Sequence, residues 1–397
     1  HIHMNKKLSL VLLLVCFQFF SVVGQRSLRF TGTNHTLKEA VNYVEMHYYQ
    51  QAYLLLNTYL HDFRQENRAK QAFEYQTALF YYYTCALKLN KVDAEQELSR
   101  FVQETPFAVL QQSGSFELGK YAFEHNQFEA AIRNYEAVSI NVLTNQELIQ
   151  RNFELGYSYL VTQQLDKVEP YFQSAKNIPG DYFKPGNYYH GLLAYYKKNY
   201  KEASESFNAV KDDERYKKII PFYLTEIDYV TGEKEKALAA ALQYLSTGDL
   251  YYDNELNQMV AQIYCEKEDY TNAASYYTTY ISKAKSVRDE DEFKLGYCLY
   301  AQDKTALAIE HLEKVSTKDK DLSKHSAYLL GICYLKNGDR ERATKSLEHF
   351  RAMTDDESQK ELVDFTLTKL SYEQDNSQMA MAKITAFLST YLQSEHI

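Results

Sequence analysis

The chain repeats one pattern at a nearly constant interval. From Leu295 to Val315 it reads LGYCLYAQDKTALAIEHLEKV, and from Leu330 to Phe350 it reads LGICYLKNGDRERATKSLEHF. With the glycine of each stretch as a reference, similar sites recur at steps of 34–42 residues. The ten reference sites are Ala40, Tyr82, Gly119, Gly156, Gly191, Thr225, Ala261, Gly296, Gly331 and Thr368. Such an interval indicates one supersecondary unit stacked many times.

A second small residue follows each reference site by twelve residues. Val168 stands at this site in the fourth repeat, and the other nine repeats have alanine. The alanines are Ala52, Ala94, Ala131, Ala203, Ala237, Ala273, Ala308, Ala343 and Ala380. We predict that the glycines and alanines lie where two helices approach closely, because a larger side chain there would overpack the crossing by about 1–3 kcal/mol.

Each repeat contains two amphipathic stretches of helical period, joined by a short polar turn. The 397 residues include only 13 Gly and 5 Pro, so few residues interrupt helices. Turns such as Lys336–Asp339 are too short for any arrangement except an antiparallel helix pair. The sequence therefore predicts an all-α protein, a superhelical solenoid of helix-turn-helix units.

These features resemble the tetratricopeptide repeat family, whose second helix carries an aromatic residue four positions after its alanine. That site holds Tyr135, Phe172, Phe207 and Tyr277 here, although the family's first-helix Trp is absent throughout. The resemblance implies an α-solenoid of about ten repeats across residues 36–397, with the last repeat either complete or cut short.

The N-terminal region reads as a leader rather than as part of the fold. We interpret residues 1–3 as vector-derived, residues 4–24 as a signal peptide and residues 25–35 as a linker. Lys6 and Lys7 precede an apolar run from Leu8 to Phe20, and small residues follow it. That layout is typical of secretory signals. A membrane anchor is the alternative, but the run falls short of the roughly 20 residues that span a bilayer. We expect export to the periplasm or cell envelope of a Gram-negative bacterium.

Charge and motif content argue against several function classes. The formal net charge is −9, and loss of Lys6 and Lys7 with the leader makes it about −11. Nucleic acid is therefore not an expected partner, since phosphate recognition needs clustered cations. We find no catalytic motif, no phosphate-binding loop and no metal-ligand spacing, so we predict no enzyme activity, no cofactor and no metal.

The cysteines leave two interpretations open. Cys298 and Cys333 occupy equivalent places in neighbouring repeats. They can be small buried core residues, or they can form a disulfide in an oxidising compartment.

Aromatic residues recur at three places on the first helix: three before, one after and four after the reference site. The resemblance implies that such positions line a concave binding face, while packing between first helices is the alternative role. Tyr and Phe suit binding surfaces because they offer a large contact area at low entropic cost. The predicted groove residues are Phe116, Phe153, Tyr157, Tyr188, Tyr195, Phe222, Tyr229, Phe293, Tyr297, Tyr300 and Tyr328.

The favoured interpretation is a non-enzymatic scaffold that binds a protein or extended peptide on this aromatic face. Its Tyr-rich repeats resemble those of exported tetratricopeptide scaffold proteins of Bacteroidetes. A glycan-binding outer-membrane protein is the alternative, because tyrosine faces also stack on sugar rings. The last predicted helix carries apolar residues such as Phe387 and Leu388 with no polar cap after them. This pattern predicts self-association or continuation of the array there.

Overall fold

The computed structural model describes residues 34–63, 72–316, 318–373, 377–391 and 394. The predicted vector-derived residues, the predicted signal peptide and most of the predicted linker lie outside these residues. The described residues contain twenty α-helices, one short 3₁₀ turn at Ile140–Val142 and no strand. The prediction of an all-α repeat fold is confirmed. Within the described residues, no helix combines the length and apolar character needed to cross a membrane.

The helices pair into ten hairpins, and the chain divides into two compact units of five hairpins each. Unit 1 covers residues 1–217 and unit 2 covers residues 218–397. In unit 1 the pairs are α1 His35–Glu45 with α2 Tyr49–Asp62, α3 Ala72–Lys88 with α4 Ala94–Glu104, α5 Ala108–Glu124 with α6 Phe128–Glu136, α7 Asn145–Val161 with α8 Glu169–Ala175, and α9 Phe183–Tyr196 with α10 Tyr200–Asn208.

Unit 2 repeats the arrangement of unit 1. Its pairs are α11 Ile220–Val230 with α12 Lys234–Thr247, α13 Asp253–Glu266 with α14 Tyr270–Lys283, α15 Asp289–Ala301 with α16 Thr305–Leu312, α17 Lys320–Lys336 with α18 Arg340–Met353, and α19 Glu357–Glu373 with α20 Ser377–Thr390. In both units each helix packs on the next along the chain. First helices also contact each other: α3 contacts α5, and α5 contacts α7. The apolar face of each hairpin is therefore covered by its neighbours.

The reference glycines lie where the two helices of a hairpin cross. A Cβ atom on Gly119 would lie 2.7 Å from the ring of Tyr135, and one on Gly296 would lie 2.6 Å from Leu312. Gly156, Gly191 and Gly331 face second-helix side chains at similarly short distances. Six of the nine predicted alanines, Ala131, Ala203, Ala237, Ala273, Ala308 and Ala343, are fully buried. The spacing of small residues thus corresponds to close helix contact.

The hairpin turns share one backbone feature. In each of the nine described turns, a residue seven or eight positions after the reference site has a positive φ. These residues are His47, Asn90, Asn126, Gln163, Lys198, Gly232, Glu268, Asp303 and Gly338. In the third hairpin, residues beside this position form the last hydrogen bonds of the first helix. The amide of His125 donates to the carbonyl of Tyr121, and the amide of Gln127 donates to the carbonyl of Ala122. Such bonds satisfy the last carbonyls of a helix.

The two cysteines at equivalent places in neighbouring repeats are core residues. Cys298 and Cys333 are free and fully buried in one apolar cluster of unit 2. The thiol near Cys298 is that of Cys265, with the two sulfur atoms 3.7 Å apart.

The last helix, α20, is partly buried. Its Phe387 is buried against Phe365, whereas Met381 and Leu388 are exposed. Self-association through α20 stays a prediction.

Candidate functional site

Five of the predicted groove residues are buried in the core. Phe116, Phe153 and Tyr188 lie three residues before a reference glycine, and their rings pack on Tyr135, Phe172 and Phe207 of the second helices. Residues three apart share one helix face. Since the glycine faces the second helix, the residue three before it does so too. The prediction that these three line an open groove is wrong.

Tyr157 and Phe222 are buried by aromatic neighbours on adjacent hairpins. Tyr157 lies between Phe123 and Tyr189, with ring centroids 5.6 and 5.3 Å away. The ring of Phe222 packs 4.9 Å from that of Tyr252. The structure therefore shows the alternative role for these two residues, which is packing between first helices.

The other six predicted residues remain partly or largely exposed, five of them in unit 2. They are Tyr195, Tyr229, Phe293, Tyr297, Tyr300 and Tyr328. Tyr229 donates to Glu266 at 2.6 Å and accepts from Gln262 at 2.7 Å, and Lys336 lies 4.6 Å from the ring centre of Tyr300. Tyr229 and Tyr300 thus contact polar or charged side chains close to them.

Unit 1 contains a cleft with a volume of about 450 Å³. Its walls come from the first helices α1, α3, α5 and α7, the start of α2, and residues 178–182 between α8 and α9. A cavity of this size falls within the range that binds ligands in proteins. First helices therefore form most of the cleft wall, but none of the eleven predicted groove residues lines it.

Two glutamates on the cleft wall come from one repeated tetrapeptide. The sequence Phe-Glu-Leu-Gly occurs at 116–119 and again at 153–156, so Glu117 and Glu154 hold the same place in consecutive repeats. Both are buried, at 4% and 3% exposure. Carboxylates rarely occupy such places unless they are paired. Our sequence reasoning missed them, although a repeated charge beside the reference glycine was a signal that could have found them.

Glu117 lies between two lysines. Lys88 is 3.7 Å and Lys120 3.6 Å from its carboxylate oxygens, and Lys88 also lies 3.8 Å from Glu124. These distances exceed the 2.7–2.9 Å of a charge-assisted hydrogen bond. The lysines thus balance Glu117 and Glu124 electrostatically without close bidentate geometry.

Glu154 is held by neutral donors. Its carboxylate accepts hydrogen bonds from the hydroxyls of Tyr135 and Tyr182, the latter at 2.8 Å, and from the amide of Gln150 at 2.9 Å. Burial raises the pKa of Glu154, and the three hydrogen bonds and the positive charge of Lys120 oppose that rise. In the described part of the chain no lysine or arginine forms an ion pair with this carboxylate. The cleft therefore contains a buried acid whose charge no cation balances at contact distance.

Thr84 on α3 also lines the cleft and is 3% exposed. Its hydroxyl has no hydrogen-bond partner among the described residues. By contrast, Thr77 on the same helix donates to the carbonyl of Phe73 at 2.7 Å, the usual bond for a helical threonine. An unused buried hydroxyl is costly unless something else satisfies it.

Aromatic rings complete the walls of the cleft. Tyr81 and Phe123 are buried side chains of α3 and α5, while Tyr182 reaches over from the segment before α9. Such rings can pack on the aliphatic part of a ligand and attract a cation. No group of three or more potential metal ligands occurs among the described residues.

Comparisons with known proteins yield structural neighbours only. No protein-family model matches the sequence, and neither does any curated protein. Among solved structures, the C-terminal part of a TPR repeat-containing protein from Cytophaga hutchinsonii is 16% identical, covers 62% of this chain and 97% of its own, and has a TM-score of 0.45. PilF of Pseudomonas aeruginosa is 11% identical with 54% and 96% coverage and a TM-score of 0.41.

The Cut9–Hcn1 hetero-tetramer of the APC/C covers 91% of this chain and 88% of its own at 13% identity, with a TM-score of 0.32. At such TM-scores and identities, none of these likenesses decides what the chain binds or does. The assignment depends on the chain itself: ten hairpins, a repeat of 34–42 residues, and small residues at each crossing. That spacing and packing are those of the tetratricopeptide-repeat fold.

Proposed function

We propose that the chain is a non-enzymatic scaffold that binds another protein by holding an extended segment of it in the cleft of unit 1. The observation that carries this proposal is the cleft itself, walled by the first helices of four consecutive hairpins. Its walls combine aromatic rings with polar groups, the composition expected of a site that recognises a polypeptide.

The same proposal includes export. The charged, apolar and small-residue segments of residues 4–24 support passage to the periplasm or cell envelope of a Gram-negative bacterium. A scaffold there would meet its partner outside the cytoplasm.

Site-specific cross-linking in native cells tests the binding proposal. A photoreactive phenylalanine analogue replaces Gln146, an exposed residue of α7 that lines the cleft. The matched control carries it at Gln173, an exposed glutamine of α8 that does not line the cleft. We expect one defined protein to be cross-linked from position 146 and not from position 173. Identical products from both positions, or none from position 146, would contradict binding in the cleft.

A further inference from the structure

The charges of the cleft are not in balance. Six carboxylates and two lysines line it. Both lysines are engaged near Glu117 and Glu124. Glu147 caps α7, where it accepts from the amide and the hydroxyl of Thr144. Of the three remaining carboxylates, Glu45 and Asp181 are exposed, whereas Glu154 is buried in the wall and bonded to neutral donors. The cleft thus carries more negative than positive charge, and within the described residues Glu154 is its buried carboxylate without an ion pair at contact distance.

Two further features of the cleft are compatible with a ligand that has a long side chain. Thr84 presents a buried hydroxyl without a protein partner at the cleft wall. Tyr182, which donates to Glu154, and Phe123 line the same cleft, so an aliphatic stem entering it meets aromatic surface while its charged end approaches the carboxylate. Lysine and arginine combine such a stem with a cationic end.

We propose that the cleft recognises a lysine or arginine side chain of an extended segment, with Glu154 as the counter-charge. This inference rests on the proposed function and names the chemistry of its ligand. A buried carboxylate that gains a cationic partner forms a charge-assisted hydrogen bond, which is stronger than a neutral one. The volume of about 450 Å³ leaves room for neighbouring residues of the segment.

Synthetic peptides test the chemistry directly. The probes are blocked nonapeptides of the form (Gly-X-Ser)₃, in which X is Lys, Arg, Gln or Glu, and binding to the full chain is measured by calorimetry at low and high salt. We expect the Lys and Arg peptides to bind and to weaken as salt rises, because salt screens charge attraction. The Gln and Glu peptides should bind at least about ten-fold more weakly, as expected for loss of a charged hydrogen bond.

Three variants separate recognition from folding. Glu154→Gln keeps the size of the side chain and should weaken the Lys peptide about ten-fold or more. Glu136→Gln is the matched control, since Glu136 also accepts from a tyrosine hydroxyl, that of Tyr159 at 2.5 Å, but does not line the cleft. Lys120→Gln removes a cation that balances Glu117 and should tighten binding, a gain that a misfolded protein cannot show.

Several outcomes would overturn the inference. In the first, the basic peptides do not bind, or they bind no more tightly than the Gln peptide. In the second, Glu154→Gln weakens binding of the Lys peptide no more than Glu136→Gln does. If free spermidine matches the Lys peptide in affinity and in dependence on Glu154, the ligand is a polyamine and not a peptide. If a partner is still cross-linked from position 146 in any of these cases, the proposed function stands and only its charge preference fails.

Discussion

At the scale of single residues, the structure depends on space that a missing side chain leaves open. Gly119 touches the ring of Tyr135 so closely that no Cβ atom fits between them. The same relation recurs wherever a reference glycine meets the second helix of its hairpin. These glycines are therefore packing residues, and their role is steric.

Gly119→Ala should destabilise the protein although alanine favours helix. The helix-propensity gain is about 1 kcal/mol, while the added methyl group must displace the Tyr135 ring, which costs about 1–3 kcal/mol. We expect a net loss of up to about 2 kcal/mol, measured by urea unfolding of the variant and the wild type. A variant as stable as the wild type, or more stable, would show that the crossing is looser than described.

The thiol pair in unit 2 gives a pH-dependent prediction. Cys298 donates to the sulfur of Cys265, and with Lys294 nearby this lowers the pKa of Cys265 to about 7. Burial instead raises the pKa of Cys85 to about 12 and that of Cys333 to about 11. Because the thiolate is the reactive form, alkylation of Cys265 should accelerate as pH rises through about 7, while the other thiols stay slow.

Mass spectrometry after timed alkylation at a series of pH values measures this profile residue by residue. In Cys298→Ala the donor is gone, so the midpoint for Cys265 should move to higher pH. A wild-type midpoint near the ordinary value of 9.0, or no change in that variant, would contradict the assigned contact.

At the scale of helices and turns, the hairpin connection uses one conformation with many residue types. Gly232 and Gly338 adopt positive φ without strain, but Lys198 and Glu268 adopt it with a Cβ atom. A left-handed conformation costs residues with a side chain roughly 1–2 kcal/mol, and glycine avoids this at some entropic cost. These turns hold strain that the surrounding helices overcome.

Lys198→Gly should therefore stabilise the protein by about 0.5–1 kcal/mol, because it removes the strain at φ +62° and breaks no ion pair within the described residues. Lys201→Gly is the control: Lys201 is an exposed residue inside α10, where glycine should cost about 1 kcal/mol. Thermal unfolding of both variants gives opposite shifts on this account. A loss of stability in Lys198→Gly would argue against the left-handed turn.

The sequence was sufficient for the hairpins but only partly for the surface. Periodicity and the Gly and Ala spacing predict ten helix pairs because they record which backbones must approach. They also suggest an aromatic strip, yet Phe116 and Tyr188 turn inward, since second-helix rings need packing partners. Cys265 and Cys298 belong to neighbouring repeats, and Thr84 lines a cleft that several repeats form together. Both features therefore depend on how neighbouring hairpins stack. No single repeat contains that information.

At the scale of the whole molecule, the two units share an architecture but differ in what they display. In unit 1, first helices enclose a cleft with buried carboxylates. In unit 2, the exposed part of the predicted groove includes Tyr229, which donates to Glu266, and Tyr300, which lies near Lys336. The binding that we propose therefore concerns the cleft of unit 1.

Hydrogen–deuterium exchange of the full chain, with and without the Lys nonapeptide, tests this assignment most directly. Binding should slow exchange in segments from α3, α5, α7 and residues 178–182, since ordering of the cleft walls suppresses local opening. Exchange in unit 2, from α11 to α20, should not change. Slower exchange confined to unit 2, or spread evenly over both units, would contradict the central claim that the first helices of unit 1 form the binding site.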